Sequence, residues 1–261
     1  SPVPAKRFPA GSTARLHVVN RPTDRDSATD LDSENSEVEP IASRNADDSA
    51  VVAADEPLAA DAPKLSRELK FLGGKLKLDT YKEPLLGSPD AKYVVVEMMD
   101  YTCPHCRQMH AHIREALDRY GDQLAVIILP VPLELECNKL VPATDPIHRG
   151  SCKISRTVLA LAEVDPSKFL DFHNFLLAEE EEPPTSSQAV FRAFRLVDPK
   201  ELGRVGKTKE IRDRIQNNIR LFSALSAQHR GDNKFGLPAQ IVGDTVLTGK
   251  LTSEEMFAAW E

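Results

Sequence analysis

The sequence has few of the features that define disulfide-rich, membrane-spanning or nucleic-acid-binding proteins. Four cysteines in 261 residues are too few for a scaffold built from disulfides. The longest uninterrupted apolar run, residues 124–129, falls far short of the roughly 18 residues needed to cross a bilayer. The formal net charge is −7, which argues against a broad basic surface for nucleic acid. What remains is a composition of 41% hydrophobic and 28% charged residues, which is typical of a globular domain with appendages.

The negative charge is concentrated at the amino-terminal end. Residues 1–63 contain six Lys and Arg against twelve Asp and Glu, and their one aromatic residue is Phe8. Such a stretch cannot bury enough apolar surface to offset the entropy of ordering it. We therefore predict a disordered acidic tether at 1–63 and a folded domain at 64–261. Because the chain begins at Ser1 and not at Met, we also expect a further segment upstream, such as an anchor, to which the tether is joined.

The first part of the folded domain predicts a strand, a helix and a second strand in close succession. Two runs rich in β-branched residues are bounded by turn residues and are typical of buried strands. A parallel pair joined by a right-handed helical crossover is the expected arrangement. The predicted elements are an edge strand at 75–79, a loop at 83–90, a buried strand at 93–98, a helix at 102–120 and a buried strand at 124–129.

Apolar residues at helical spacing dominate the next hundred positions. The clearest stripe is Ile211, Ile215 and Ile219, and the pattern predicts a helical insertion at about 147–230. After Gly236 the pattern returns to short strands and a final helix. The predicted order is thus βαβ, a helical insertion, then ββα. The last elements are strands at 239–242 and 245–247, a hairpin turn at 243–244 and a helix at 252–260.

Cys103, Pro104, His105 and Cys106 form a CxxC motif at the junction of a predicted strand and helix. Unpaired backbone N–H groups and the positive end of the helix dipole favour a thiolate there. His105 can add a cation or a hydrogen-bond donor near the sulfur. Such a thiolate can attack a disulfide, form a mixed disulfide and be resolved by the second cysteine. A CxxC motif inside a βαβ unit therefore predicts thiol–disulfide exchange.

A metal site is an alternative for the same residues. His110 lies one helical turn after Cys106, so Cys103, Cys106 and His110 could hold a metal, although a fourth ligand is missing. A purely structural bridge between Cys103 and Cys106 would remove very little loop entropy. We expect no metal and no cofactor beyond the redox-active disulfide itself.

The segment from Glu97 to Cys106 resembles the active-site segment of the thioredoxin superfamily, specifically its DsbA-like branch with a CPHC centre. Residues 236–239, with the sequence Gly-Leu-Pro-Ala, resemble the loop that carries the cis-proline of that family. A helical insertion between the two halves of the fold also fits the branch. The resemblance covers about 75–261 and implies an α/β thioredoxin fold. Asp100 is a second acidic residue near the motif, and we expect it to shape the loop before Cys103.

The resemblance implies a role for each residue that matches the family pattern. Cys103 matches the nucleophile and Cys106 the buried resolving thiol. Pro238 matches the cis-proline, and Leu237 the residue whose backbone pairs with a substrate peptide. Glu97 matches a buried acid that assists proton transfer with Cys106. The alternative for Glu97 is a position on a solvent-exposed face of its strand, because an unpaired carboxylate is costly to bury.

Cys137 and Cys152 are the second cysteine pair, with fourteen residues between them. They flank a loop that contains prolines. In an oxidising compartment we expect a structural disulfide there, which loop entropy makes worth about 3 kcal/mol. A second redox pair that passes a disulfide along internally is the alternative. His148 and His173 are interpreted as surface or packing residues.

Together these features predict a thiol:disulfide oxidoreductase that acts on protein substrates, as an oxidase. One catalytic and one structural cysteine pair favour an exported protein, periplasmic or otherwise outside the cytoplasm. The alternatives are a reductase or isomerase of the same fold, a non-catalytic peptide-binding module and a metal-handling protein. Residues 1–63 do not resemble the dimerisation domain of disulfide isomerases, so a monomer is expected. The expected partners are protein thiols or disulfides and a redox partner that the sequence does not identify.

Overall fold

The computed structural model describes residues 65–178, 182–229, 235–249 and 251–260. The predicted acidic tether at 1–63 lies outside these residues. Within the described ranges, no helix combines the length and the apolar character needed to span a bilayer.

The strands and helices that the sequence predicts follow one another in the predicted order, with a block of helices between the two β-rich parts. The strands are β1 (Glu68–Phe71), β2 (Leu76–Asp79), β3 (Leu85–Gly87), β4 (Tyr93–Met99), β5 (Leu124–Pro130), β6 (Ala239–Val242) and β7 (Thr245–Thr248). The helices are α1 (Pro104–Tyr120), α2 (Ser151–Val164), α3 (Phe169–Leu176), α4 (Ser186–Phe194), α5 (Pro199–Val205), α6 (Lys209–Gln228) and α7 (Ser253–Trp260).

The central sheet has five strands in the order β3-β5-β4-β6-β7. Strands β4 and β5 run parallel and are connected through α1, as the sequence predicts for this crossover. The other neighbouring pairs in the sheet are antiparallel. Every residue of β4 and of β5 is buried. Burial on both faces explains why β5 has a continuous apolar run, and why the run of β4 is interrupted only by Glu97, in place of an alternating pattern.

Two short strands are not predicted correctly from the sequence. β3 lies inside the predicted loop at 83–90 and pairs antiparallel with β5. Its last residue, Gly87, has a positive φ of 89°, and a Cβ there would collide with the carbonyl oxygen of Leu124. Only glycine allows that approach, so the glycine that suggests a loop belongs to a strand end. β1 pairs with β2 in a separate two-stranded sheet, and no strand is predicted at its position.

Helix α2 is the centre of the inserted helices. It contacts α3, α4, α5 and α6, and α3 and α6 in turn contact β3 and β5. The side chain of Thr185 accepts a hydrogen bond from the N–H of Gln188 and caps α4, and Thr208 caps α6 in the same way. The insertion is therefore anchored on the sheet at the β3–β5 side.

Candidate redox site

Cys103 lies between the carboxyl end of β4 and the first turn of α1. It is the N-cap residue of α1 and has an extended backbone. Pro104 follows in the first turn, where a residue makes no helical hydrogen bond through its N–H, so the missing N–H of proline costs nothing. The N–H of Cys103 donates to the carbonyl of Asp100 at 3.0 Å, and its own carbonyl accepts the N–H of Arg107 at 3.0 Å. These bonds fix the cysteine at the amino end of the helix.

The two thiols of the motif differ in acidity. A hydrogen bond from the Cys106 thiol is the largest influence on Cys103, and backbone N–H groups of Cys106 and His105 add to it. Although burial acts in the opposite direction, the pKa of Cys103 falls to about 7. Burial, together with the bond to Cys103, raises the pKa of Cys106 well above its ordinary value. When one of the two thiols is ionised near neutral pH, the negative charge therefore resides on Cys103, and Cys106 keeps its proton.

Exposure distinguishes the same two sulfurs. Cys103 is 6% exposed and Cys106 is 0% exposed, so a partner protein can reach Cys103 alone. The side chains of Pro104 and His105 are exposed on the outer surface of the turn. The contribution of His105 to the thiolate thus comes from its backbone N–H.

Glu97 is buried in the middle of the sheet. It is 2% exposed, so the alternative of a solvent-facing position is wrong. Gln240 stands opposite it on β6, but the Gln240 amide is bonded to Trp260 and to Met256. Oε1 of Glu97 has no hydrogen-bond partner among the described residues. Burial raises the pKa of Glu97 to about 8, so this side chain carries a proton at neutral pH.

Glu97 lies within electrostatic range of the motif. A negative charge on Glu97 raises the pKa of Cys106, and it also raises the pKa of Tyr101. Trp260 of α7 donates its indole N–H to Gln240 at 3.1 Å, and Gln240 shares a sheet face with Glu97. The carboxyl group therefore lies in the layer between the sheet and its covering helices, where bulk water does not reach it.

A chain of buried polar rings continues from Tyr101. Its hydroxyl is 2.9 Å from Nδ1 of His173, and the ring of His173 meets that of His110 edge-on with the centroids 4.9 Å apart. Burial lowers the pKa of His173 well below its ordinary value and that of His110 to about 4, so both rings are neutral at neutral pH. His173 is thus a packing residue, as the sequence suggests.

The position of the His110 ring tests the alternative of a metal site at Cys103 and Cys106. Within the described ranges, no three or more His, Cys, Asp or Glu side chains are grouped so that they could hold a metal ion. His110, the proposed third ligand beside Cys103 and Cys106, packs its ring against His173.

Asp100 organises the loop that leads to Cys103. Its Oδ1 accepts hydrogen bonds from the N–H and the hydroxyl of Thr102, both at 2.7 Å. Its Oδ2 accepts from the N–H of Leu133 at 2.6 Å and from the hydroxyl of Ser151 at 2.8 Å. The carboxylate therefore joins the loop to the segment after β5 and to the start of α2.

His148 belongs to the same network. Its Nδ1 is 2.9 Å from Oγ1 of Thr102 and 3.8 Å from Oδ2 of Asp100. His148 is not predicted from the sequence to belong to the site, because it lies 46 positions from Thr102 and no motif connects the two residues. Only the fold of the insertion brings this ring beside the redox loop.

The Leu237–Pro238 peptide bond is cis. The next residue, Ala239, pairs with Met98, so Pro238 lies at the end of the sheet where β4 leads into Cys103. The hydroxyl of Thr248 donates to the carbonyl of Gly236 at 2.7 Å and accepts the N–H of Gly236 at 2.9 Å. Strand β7 thus holds the loop in which the two residues lie.

Cys137 and Cys152 are joined in a disulfide with their Cα atoms 5.9 Å apart. The carboxylate of Glu134 accepts the N–H groups of Gly150 and Cys152 at 3.0 and 2.9 Å. Gln216 of α6 donates its amide to the carbonyl of Cys137 at 2.7 Å. The disulfide therefore closes a loop that is bonded to the start of α2 and to α6.

Comparison with known proteins gives a consistent picture. A family model described as thioredoxin matches residues 79–260. A protein of Rickettsia bellii (strain RML369-C), named as a protein-disulfide oxidoreductase, is 26% identical over 122 residues. That match spans 46% of this chain and 41% of the relative, so about two fifths of the relative's length is covered.

Two solved structures share the fold. The crystal structure of Proteus mirabilis ScsC in a compact conformation is 27% identical, with a TM-score of 0.51, and the match covers 68% of this chain and 71% of ScsC. The thiol-disulfide exchange protein alpha-DsbA2 from Wolbachia pipientis is 20% identical, with a TM-score of 0.52, over 68% of this chain and 84% of that one. At 20% identity the second likeness shows the fold alone.

Proposed function

Since the chain belongs to the thioredoxin family, we propose that it is a thiol:disulfide oxidoreductase, which exchanges disulfides with protein substrates through Cys103 and Cys106. The family resemblance and the α/β thioredoxin fold predicted from the sequence are both confirmed. The observation that carries the proposed activity is the difference between the two thiols. Cys103 is acidic and lies at a helix amino end, whereas Cys106 is buried and holds its proton.

In the oxidising direction, a substrate thiolate attacks the Cys103 sulfur of the Cys103–Cys106 disulfide. A mixed disulfide forms and Cys106 leaves as a thiolate. A second substrate thiolate then attacks the substrate sulfur of the mixed disulfide and releases Cys103 as a thiolate. The substrate gains one disulfide, and the enzyme gains two electrons.

Glu97 is proposed to supply the proton that this cycle requires. The departing Cys106 thiolate lies in a buried site that disfavours its charge, so it must be protonated. Glu97 carries a proton at neutral pH and lies within electrostatic range. In the reducing direction Glu97 would accept the Cys106 proton only in its ionised form, which becomes the main form above its pKa of about 8.

The direction we propose is oxidation. A thiolate that is more stable than an ordinary one favours the reduced enzyme, which makes the oxidised enzyme an oxidant. The Cys103 pKa of about 7 equals the value of about 7 in thioredoxin and lies well above the value of about 3.5 in DsbA, so the pKa alone does not set the direction. The support for oxidation is the resemblance of the CPHC motif to the DsbA-like branch. Equilibration with glutathione measures the reduction potential directly. A potential near the −270 mV or so typical of thioredoxin would reverse the proposed direction.

Leu237 and Pro238 are proposed to hold the backbone of the substrate beside Cys103. Their support is the position of the loop at the Cys103 end of the sheet. We further propose that residues 64–261 act as the catalytic domain and that the chain functions as a monomer, without a cofactor beyond its redox cysteines. Sedimentation of the purified chain tests the oligomeric state, and a tight dimer would contradict it.

The proposed location is outside the cytoplasm, in the periplasm or a similar compartment. Its support is the disulfide between Cys137 and Cys152, because such bonds persist in oxidising compartments and are rare where glutathione and thioredoxin keep thiols reduced. A role for 1–63 as a tether to an upstream anchor belongs to the same proposal.

The decisive experiment traps substrates in cells. In a Cys106→Ala variant the mixed disulfide on Cys103 cannot be resolved, so substrate proteins should accumulate on it and be released by reductant. The Cys103→Ser/Cys106→Ala double variant is the matched control and should capture none. Full biological activity in Cys103→Ser would instead indicate a peptide-binding module, and stoichiometric zinc or copper in the purified protein would indicate metal handling.

A further inference from the structure

A cavity of about 430 Å³ lies within the inserted helices, and no residue of the redox site lines it. Its apolar walls come from three helices: Ala160 of α2, Val190 and Phe194 of α4, and Leu202 of α5. The volume is within the range of small-molecule sites, which are apolar with a few fixed polar groups. The proposed redox function does not use this cavity.

Positively charged side chains line the same cavity. Lys153 and Arg156 come from α2, Lys207 follows α5 and Arg212 belongs to α6, and no acidic residue is among the described lining residues. Arg212 donates to the carbonyl of Lys207 at 2.5 Å, which ties these two positions together. Lys153, Lys207 and Arg212 are exposed, and their charges lie together beside an apolar space. Their combined field favours an anion that binds among them.

Arg156 is the lining cation whose contacts leave it available to an anion. Its Nε is buried and has no hydrogen-bond partner among the described residues. Its terminal NH2 nitrogen is 3.8 Å from the largely exposed carboxylate of Glu136, which is too long for a hydrogen bond. Because Nε is closed to solvent, a ligand in the cavity meets the partly exposed terminal nitrogens of Arg156, which can bond to an oxyanion.

We propose that this cavity binds a small anionic amphiphile, with a carboxylate or phosphate group on a hydrocarbon chain. The hydrocarbon chain lies against the walls formed by Ala160, Phe194 and Leu202, and the anion is held by Arg156 and Arg212. A purely apolar ligand would leave the cations without a counter-charge, and a bare inorganic anion would leave the apolar walls in water. Only a molecule with both an anionic group and a hydrocarbon chain matches the cations and the apolar walls together.

Gly203 makes the cavity testable by a single substitution. It lines the cavity inside α5, and a Cβ placed on it would meet no atom within 4 Å. A Cβ therefore has room at this position, and the larger side chain of Gly203→Leu is designed to occupy the space of the hydrocarbon chain. Gly203→Ala is the matched control, because it changes helix propensity in the same direction and leaves the cavity open.

The experiment is calorimetric titration of the purified full chain with octanoate, octyl phosphate, octanol, octylamine and inorganic phosphate. Octanoate or octyl phosphate should bind at least tenfold more tightly than octanol, and their relative affinities distinguish a carboxylate from a phosphate ligand. Octylamine and inorganic phosphate should not bind measurably. Added salt should weaken binding of the two anions.

Titration of four variants of the cavity lining is the second part of the experiment. Gly203→Leu should abolish binding and Gly203→Ala should retain it, whereas Arg156→Gln and Arg212→Gln should each weaken it about tenfold. Thermal melting reports that each variant is folded. The alkylation rate of Cys103 should be unchanged in all four, so this test is independent of the redox proposal.

The proposal is overturned if neither octanoate nor octyl phosphate binds below its micelle concentration, or if octanol binds as tightly as they do. It is equally overturned if Gly203→Leu keeps the affinity of the unmodified chain. If octanoate and octyl phosphate fail to bind and an acidic peptide binds in a way that Gly203→Leu abolishes, the cavity belongs to a protein partner and the proposal is refuted.

Discussion

Ser151, the first residue of α2, donates its hydroxyl to the carboxylate of Asp100 at 2.8 Å, and both residues are fully buried. Asp100 also holds the N–H of Thr102, the residue before Cys103. The next residue of α2, Cys152, carries the disulfide to Cys137. The inserted helices are therefore bonded to the loop that positions the reactive sulfur, and they contribute to the geometry of the redox site.

Asp100→Asn should lower the pKa of Cys103 below about 7, because the negative charge on Asp100 raises that pKa. The variant should also lose about 1–3 kcal/mol of unfolding free energy, since an amide cannot accept all the bonds made by the carboxylate. Thiolate absorbance as a function of pH and urea denaturation measure the two effects. Ser151→Ala keeps the charge, so its Cys103 pKa should not move. Equal pKa values in all three proteins would contradict the assigned role.

Removal of the Cys106 thiol should raise the pKa of Cys103. The hydrogen bond from Cys106 is the largest cause of the low value, so Cys106→Ala should move the pKa from about 7 towards the value of about 8.5 for a free cysteine. Cys106→Ser keeps a donor at the same place, and its pKa should stay closer to 7. The rate of alkylation by iodoacetamide as a function of pH reports both values. A Cys106→Ala profile identical to that of the unmodified chain would assign the acidity to the helix end alone.

Glu97 should make the protein less stable as the pH rises. Its pKa is about 8 when folded and 4.5 without that burial, so the folded state binds the extra proton between these values. Its contribution is complete below pH 4.5 and is lost progressively up to pH 8, by on the order of 5 kcal/mol.

Glu97→Gln isolates this effect, because Gln has nearly the same shape and does not titrate. Urea denaturation of the reduced proteins should give similar stabilities near pH 5 and a more stable variant near pH 8. The difference between the two proteins is the quantity to follow. The lowered pKa values of His110, about 4, and of Cys103, about 7, make the unfolding free energy of both proteins rise with pH, which is opposite to the effect of Glu97. Parallel stability curves would show that Glu97 is not protonated in the folded state.

Loss of the Cys137–Cys152 disulfide should cost stability and leave the redox chemistry intact. The bond joins positions 15 residues apart, and loop entropy gives about 3 kcal/mol for a loop of this size. Cys137→Ser/Cys152→Ser should show this loss in urea denaturation at neutral pH. The alkylation rate of Cys103 in the folded variant should be unchanged. If oxidation of a substrate protein stops while the variant remains folded, the pair is a redox relay and not a structural bridge.

Elements with a strong local signal were predictable from the sequence. The ends of β4, α1 and β5 lie within two residues of their predicted positions, because a buried run has a visible length and Pro104 marks a helix start. β1 and β3 have four and three residues, which is too short for a periodic pattern to stand out. Their pairing partners, which lie elsewhere in the chain, determine that they are strands.

The sequence by itself determined the βαβ unit, the CxxC motif at a helix amino end and the family, because these follow from the conformations and spacing of neighbouring residues. The tertiary structure decided that Glu97 is buried and protonated, that Ser151 and His148 reach the redox loop, and that a cationic cavity opens between the inserted helices. Contacts between residues 46 and 51 positions apart depend on how the helices pack on the sheet. That packing is a property of the whole core, and no short segment of the chain encodes it.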